Sequence, residues 1–252
     1  FEDVYVINKN KFSSLGDENI IIDSAATLNS AQADIVAKAT SKVVTATVSA
    51  ATADLLVENL KNANAKDALT LTVNGATASA KDLLTLDGKT SITVVATTPA
   101  TITGSVAEIN KLLVADVTLN ANPSFELTGT VKAADANYIA LNTTGVVTAT
   151  IAADTAAKLD AALTEVPPAV NAYKLTVNGA TAAATDLIAL NDKTSEKITL
   201  TAKEITGTAA DVTIVLNTAV AEISGQEKAA VKVTDEVKTT DIGAILTKAD
   251  GI

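Results

Sequence analysis

This chain repeats itself. Val43-Val44-Thr45-Ala46-Thr47-Val48 returns as Val146-Val147-Thr148-Ala149-Thr150-Ile151, and Leu71-Thr72-Val73-Asn74-Gly75-Ala76-Thr77 returns as Leu175-Thr176-Val177-Asn178-Gly179-Ala180-Thr181. Ile102-Thr103-Gly104 returns as Ile205-Thr206-Gly207. The displacement is 103 or 104 positions each time. A near-constant displacement over three separate phrases marks a duplicated block, about 43–145 and 146–250. Internal repetition of this kind constrains the fold ahead of any local reading. Repeated surfaces suit stacking and polymerising, whereas catalytic sites are single, asymmetric constellations.

Each block divides again into roughly four shorter units of solenoid length. A unit reads as a β-branched run, a small-residue bend and a short apolar stretch opened by an acid. Ile92-Thr93-Val94-Val95-Ala96-Thr97 and Ile102-Thr103-Gly104 are rich in Val, Ile and Thr, which argues strand. Ser105-x-x-Glu108 then has the spacing of a capping box, with Ile109, Leu112 and Leu113 on one helical face behind it. Ser79-x-x-Asp82 and Thr208-x-x-Asp211 repeat that spacing. Asp34, Asp54, Asp135, Asp186 and Asp241 fall at comparable places, where an acid offsets the positive end of a helix and accepts free backbone N–H groups. These acids are read as caps and not as metal ligands.

Units begin near Ile20, Val43, Leu69, Ile92, Val117, Val146, Lys174, Lys197 and Val220. One strand and one short helix cannot bury an apolar face alone, but stacked neighbours can, with the strands in parallel ladders. The expected fold is therefore mainly β with short helices: a parallel β-solenoid, equivalently an αβ-solenoid, of about nine repeats with a helical corner, over residues 20–252. Asn74-Gly75 and Asn178-Gly179 read as tight turns needing positive φ between strand segments.

Composition agrees with a thin core. The chain is 48% hydrophobic with a mean hydropathy of +0.30, yet only 2% aromatic, so Val, Ile, Leu and Ala must fill the interior. It contains no Cys, His, Met or Trp, and all 19 basic residues are Lys, against 29 acids. Without His there is no imidazole base or ordinary zinc set, and without Cys no thiol nucleophile or disulfide. Without Arg there is no bidentate phosphate clamp, and a net charge of −10 disfavours nucleic acid. No apolar run approaches the roughly 18 residues of a membrane span. No cofactor is expected. The chain starts at Phe1, which points to a processed form or a stretch of a longer protein.

In Ile205-Thr206-Gly207-Thr208-Ala209-Ala210-Asp211-Val212 and Ala140-Leu141-Asn142-Thr143-Thr144-Gly145-Val146-Val147, the chain resembles the Thr/Ala/Val-rich repeats of large bacterial surface proteins. Such adhesin-like and S-layer-like arrays often belong to cyanobacteria or aquatic proteobacteria. The resemblance spans residues 20–250 and is one of style, without a diagnostic motif. It implies an extracellular structural or adhesive role and carries over no functional residues. The glycine-rich nonapeptide of calcium-binding repeats is absent.

Three other patterns carry possible chemistry. The acidic pairs Asp17-Glu18 and Asp235-Glu236 are sequence neighbours that point opposite ways on a strand, so neither forms an acid/base couple. Sugar-cleaving sites add aromatic platforms, and this chain has only six aromatics; no enzymatic activity is expected. Thr45/Thr47, Thr70/Thr72, Thr148/Thr150 and Thr199/Thr201 could form the flat ladder of an ice-binding solenoid, although Thr is also a good exposed strand residue. The segment 1–19 differs from the rest. It holds Phe1, Tyr5 and Phe12, and Asp3 to Ile7 reads as a strand. That segment is either a solenoid cap or a joining strand. In the second case Phe1, Val4, Tyr5, Val6, Ile7 and Phe12 would form the subunit contact. The partner expected is the chain itself, as a head-to-tail homopolymer, with a cell-surface polysaccharide as the alternative.

Overall fold

The computed structural model describes residues 16–164, 170–218 and 222–237, together with Gly243 and Ile245. The expected contact residues Phe1, Val4, Tyr5, Val6, Ile7 and Phe12, and the helix-opening Asp241, lie outside the described residues. The fold is α/β: parallel strands in several sheets, and eight α-helices among the described residues. The chain divides into two compact units, Phe1–Pro123 and Ser124–Ile252.

In unit 1, β1 (Ile20–Ile21) and β2 (Thr27–Leu28) lead into α1 (Ser30–Ala39), and β3 (Val44–Val48) leads into α2 (Ala53–Asn59). Next come β4 (Ala68–Thr70) and β5 (Thr77–Ser79) before α3 (Ala80–Asp87), then β6 (Val94–Ala96) and β7 (Thr101–Gly104) before α4 (Val106–Leu112). β8 (Val117–Leu119) ends the unit. Every pairing is parallel, between strands 20 to 24 positions apart: Ile20 with Val44, Thr27 with Thr47, Thr45 with Ala68, Thr77 with Thr101, Val94 with Val117. The helices stack in sequence, α1 on α2, α2 on α3 and α3 on α4.

Unit 2 repeats the order. β9 (Ser124–Val131) leads into α5 (Ala133–Ala140), and β10 (Val147–Ile151) into α6 (Ala156–Ala162). β11 (Ala172–Lys174), β12 (Thr176–Val177) and β13 (Thr181–Ala183) lead into α7 (Ala184–Asn191). β14 (Ile198–Leu200) and β15 (Glu204–Gly207) lead into α8 (Ala209–Thr218), followed by β16 (Ile223–Ser224) and β17 (Ala230–Val233). Its pairings are again parallel, as in Thr148 with Ala172, Thr176 with Thr199 and Thr181 with Glu204. Helices α5 to α8 begin 103 or 104 positions after α1 to α4.

The alternation in the strands decides what is buried. In β3, Val44, Ala46 and Val48 are buried while Thr45 and Thr47 are half-exposed. In β10, Val147, Ala149 and Ile151 do the same. Each helix adds two to five buried residues at helical spacing, such as Leu83 and Leu86 from α3 or Leu187 and Leu190 from α7. Aliphatic side chains dominate the core, and Phe125 and Tyr173 are its two buried aromatics among the described residues.

Two glycine pairs show why the repeated phrases are repeated. Gly75 and Gly179 hold φ of +99° and +112°, the turn conformation expected of their Asn-Gly steps. Gly104 and Gly207 serve close approach: a Cβ there would lie 2.9 Å from the Cβ of Ala80 and of Ala184, respectively. The strand ending in glycine thus passes directly over the first residue of the preceding helix.

Candidate functional site

The helix starts are built as local chemistry dictates. Ser105 Oγ accepts the Glu108 N–H at 3.3 Å, while Glu108 Oε2 accepts the Ser105 N–H and hydroxyl, both at 2.8 Å. These bonds hold the Glu108 carboxyl below its usual range. The Ser105 N–H is the largest cause, followed by the Ser105 hydroxyl, with the charges of Lys81 and Lys111 adding to it. Ser79 Oγ accepts the Asp82 N–H at 3.4 Å. Thr208 Oγ1 accepts the Asp211 N–H at 3.1 Å and donates to Asp211 Oδ2 at 2.7 Å. The Asp54 carboxyl is likewise lowered, mainly by the Thr52 hydroxyl.

One acid reads differently. Asp34 sits in the middle of α1, and its carboxylate accepts the backbone and side-chain N–H groups of Asn62 at 2.6 and 2.7 Å. It ties the loop after α2 to the neighbouring helix and caps nothing on its own. The cap of α1 is Asn29, paired with Gln32 in a full capping box. A search for Ser, Thr and acids passes over that amide version, although an amide oxygen accepts equally well.

A second set of polar groups lies inside the corners. Asp67, only 1% exposed, accepts the Val44 N–H at 2.9 Å on one oxygen and the Asn64 N–H at 3.0 Å on the other. Thr90 Oγ1 accepts the Leu69 N–H and donates to the Leu69 carbonyl. Asn171 and Thr194 do this in unit 2, toward Val147 N–H and toward Tyr173 N–H and carbonyl. All four act on backbone 21 to 24 positions away. Sequence pattern did not single out Asp67, Thr90, Asn171 or Thr194; the signal was the Lys-Thr-Ser phrase shared by 89–91 and 193–195.

Three acids of the two sequence pairs are engaged within the fold. Glu18 Oε2 accepts the Gly16 and Asp17 N–H groups, Asp17 Oδ1 accepts the Ser41 hydroxyl, and Asp235 Oδ1 accepts the Ala209 N–H at the start of α8. No group of three or more metal-binding side chains lies among the described residues, and no helix among them is long and apolar enough to cross a membrane. An apolar hollow of about 150 Å³ opens between α7 and α8, lined by Ile188, Ile214, Val215 and Ile223. Its rim is self-paired, with Asn191 Nδ2 donating to Glu222 Oε2 at 2.6 Å.

On the outer strand face, Thr27, Thr47 and Thr70 are in register. The rung beside them reads Ile21, Thr45, Ala68, and the matching rungs of unit 2 read Thr130, Thr150, Lys174 and Glu126, Thr148, Ala172. Among the described residues the longest run of in-register threonines is thus three rungs, with shorter pairs at Thr77 with Thr101, Thr130 with Thr150 and Thr176 with Thr199. No family model, curated protein or solved structure matches the chain.

Proposed function

We propose that this chain is a non-enzymatic, extracellular structural protein of a bacterial surface. Its repeats of roughly 22 to 30 residues coil as a parallel αβ-solenoid of about nine turns, and copies join head to tail into a filament, layer or fibre. The observation that carries the reading is the use of the repeated polar residues. The Ser105/Glu108 cap recurs as Thr208/Asp211, and the corner acceptors Asp67 and Thr90 recur as Asn171 and Thr194, each engaged with backbone and each at the block displacement. Selection for such repetition is selection for a building block. The acidic surface and the lack of thiols suit exposure outside the cell.

Negative-stain electron microscopy of the purified full chain is the test. Ordered fibres or sheets are expected. Removal of residues 1–12 should abolish long assemblies while the circular dichroism spectrum is kept, because the aromatic-bearing segment Asp3 to Ile7 is the proposed joint. Monodisperse single particles at all concentrations would overturn the assembly reading. Fibres of unchanged length after the deletion would overturn the joint alone.

An adhesin stalk or ice-binding surface is the second reading, favoured by the in-register Thr27, Thr47 and Thr70. Replacing Thr47 by Lys would abolish ice-recrystallisation inhibition if that reading held. The flanking Ile21, Ala68, Glu126 and Lys174 interrupt the regular array that ice requires. A cell-surface polysaccharide would be the partner of a stalk. A polysaccharide-acting enzyme ranks third, since Asp17, Glu18 and Asp235 each already hold a hydrogen bond within the fold.

A further inference from the structure

We propose that Asn142 is an acceptor for an N-linked glycan, and that its first sugars lie over Tyr138 and Leu141. This rests on the extracellular reading above. Asn142-Thr143-Thr144 has the acceptor pattern, in which a hydroxyl two residues on is required. Asn122-Pro123-Ser124 fails because proline occupies the middle position.

The turn geometry calls for the threonine, whereas the residue before it varies from turn to turn. Four turns of the chain are built alike: the hydroxyls of Thr40, Thr90, Thr143 and Thr194 accept the N–H two residues on, from Lys42, Ile92, Gly145 and Glu196, at 3.0 to 3.1 Å. The residue after each threonine is Ser41, Ser91, Thr144 or Ser195. The residue before it is Ala39, Lys89, Asn142 or Lys193, so only one of four equivalent turns completes an acceptor. Asn142 and Thr144 are both exposed. The Asn142 amide donates to the Tyr138 carbonyl at 2.8 Å, a single exposed bond.

A separate observation points to what covers this corner. Tyr138 is 54% exposed and Leu141 64%, both on α5 or its end and adjacent to Asn142. Tyr138 lies one helical turn before Asn142 and therefore on the same side. The same places in the first block hold Ile35 and Lys38, beside Ala39. There the first block carries a half-buried isoleucine and an exposed lysine, and the second an exposed aromatic ring and an exposed leucine. The C–H face of a pyranose packs on such a ring. In the transfer, Asn142 Nδ2 bonds to the anomeric carbon of a lipid-linked oligosaccharide diphosphate and loses one proton. The bond from that carbon to the diphosphate oxygen breaks, and the lipid diphosphate leaves.

The test is export of the full chain through a compartment that performs N-glycosylation, beside a reporter acceptor protein, followed by intact mass. One glycan per chain is expected, released by peptide N-glycosidase to leave aspartate at 142. Asn142→Gln and Thr144→Ala should each be unmodified, with unchanged circular dichroism. An unmodified chain beside a modified reporter would overturn the proposal, as would an adduct that survives Asn142→Gln. Acrylamide quenching of tyrosine fluorescence should fall when the glycan is attached, and that difference should vanish in Tyr138→Phe. Equal quenching with and without glycan would overturn the packing. Neither failure touches the assembly reading, which the micrographs judge separately.

Discussion

The two units perform the same tasks with different residues. At one corner unit 1 places Asp67, and unit 2 places Asn171 at the same point of the block; each accepts an amide from the strand before it, Val44 N–H at 2.9 Å and Val147 N–H at 2.8 Å. Asp67 also takes the N–H of Asn64 on its second oxygen. At the helix joint, Asp34 accepts from Asn62, and Asn137 accepts from the Thr164 N–H at 2.7 Å. The α1 start has the Asn29 capping box, whereas α5 begins after Lys132 with no side-chain cap bond. What persists is the supply of an oxygen where backbone N–H groups would otherwise be buried alone. Charge and volume are free to change around it, as Leu69 and Tyr173, both fully buried, show.

The strongest test of equivalence is a core deletion. Leu112 is 1% exposed on α4, and Val215 is its counterpart on α8, also 1% exposed. Leu112→Ala should cost about 2–5 kcal/mol, and Leu112→Val about 0.5–1.5 kcal/mol. Thermal melts of the two variants check this, and equal midpoints would break the correspondence between units.

Next comes the corner. Asp67→Ala leaves two backbone N–H groups and the Asn64 side-chain amide without their acceptor and should cost about 2–4 kcal/mol, while Asn171→Ala, which strands the Val147 N–H, should cost about 1–3 kcal/mol. Asp67→Asn should recover most of the loss, because an amide oxygen still reaches Val44. Urea midpoints read all three. A variant Asp67→Asn as damaged as Asp67→Ala would show that the charge matters after all.

A smaller difference separates the lysines. Lys193 Nζ sits 2.7 Å from the Asp160 carbonyl and 2.6 Å from its carboxylate. Unit 1 has Lys89 and, in place of Asp160, Val57. Lys193→Ala should lower stability by about 1 kcal/mol, and Lys89→Ala should leave the melting midpoint in place.

The smallest effect is the charge of one cap. The Glu108 carboxyl is held below its usual range when folded, so its contribution is present above the unfolded pKa and is lost as pH falls through the folded one. Glu108→Gln should lower the urea midpoint slightly at neutral pH. The gap to the parent chain should close once the pH is below the carboxylate range. A gap that persists in acid would assign the effect to packing.

Local features were legible in the chain because their partners are near in sequence. Ser105 with Glu108, Thr208 with Asp211 and the Asn74-Gly75 turn need no knowledge of the fold, since each closes within three or four residues. The strand content and the block displacement were legible for a similar reason: β-branched runs and repeated phrases are properties of the order of residues. Tertiary structure decided the rest. Asp34 has a cap's spacing from the apolar residue after it, yet only the stacking of α1 beside α2 brings Asn62 to its carboxylate. Asp67 and Thr90 look like ordinary polar residues of a loop until parallel pairing carries Val44 and Leu69 past them, 23 and 21 positions away. The physical reason is that a buried backbone N–H must find an acceptor wherever the neighbouring turn leaves one, and the order of residues alone does not say which turn will be the neighbour.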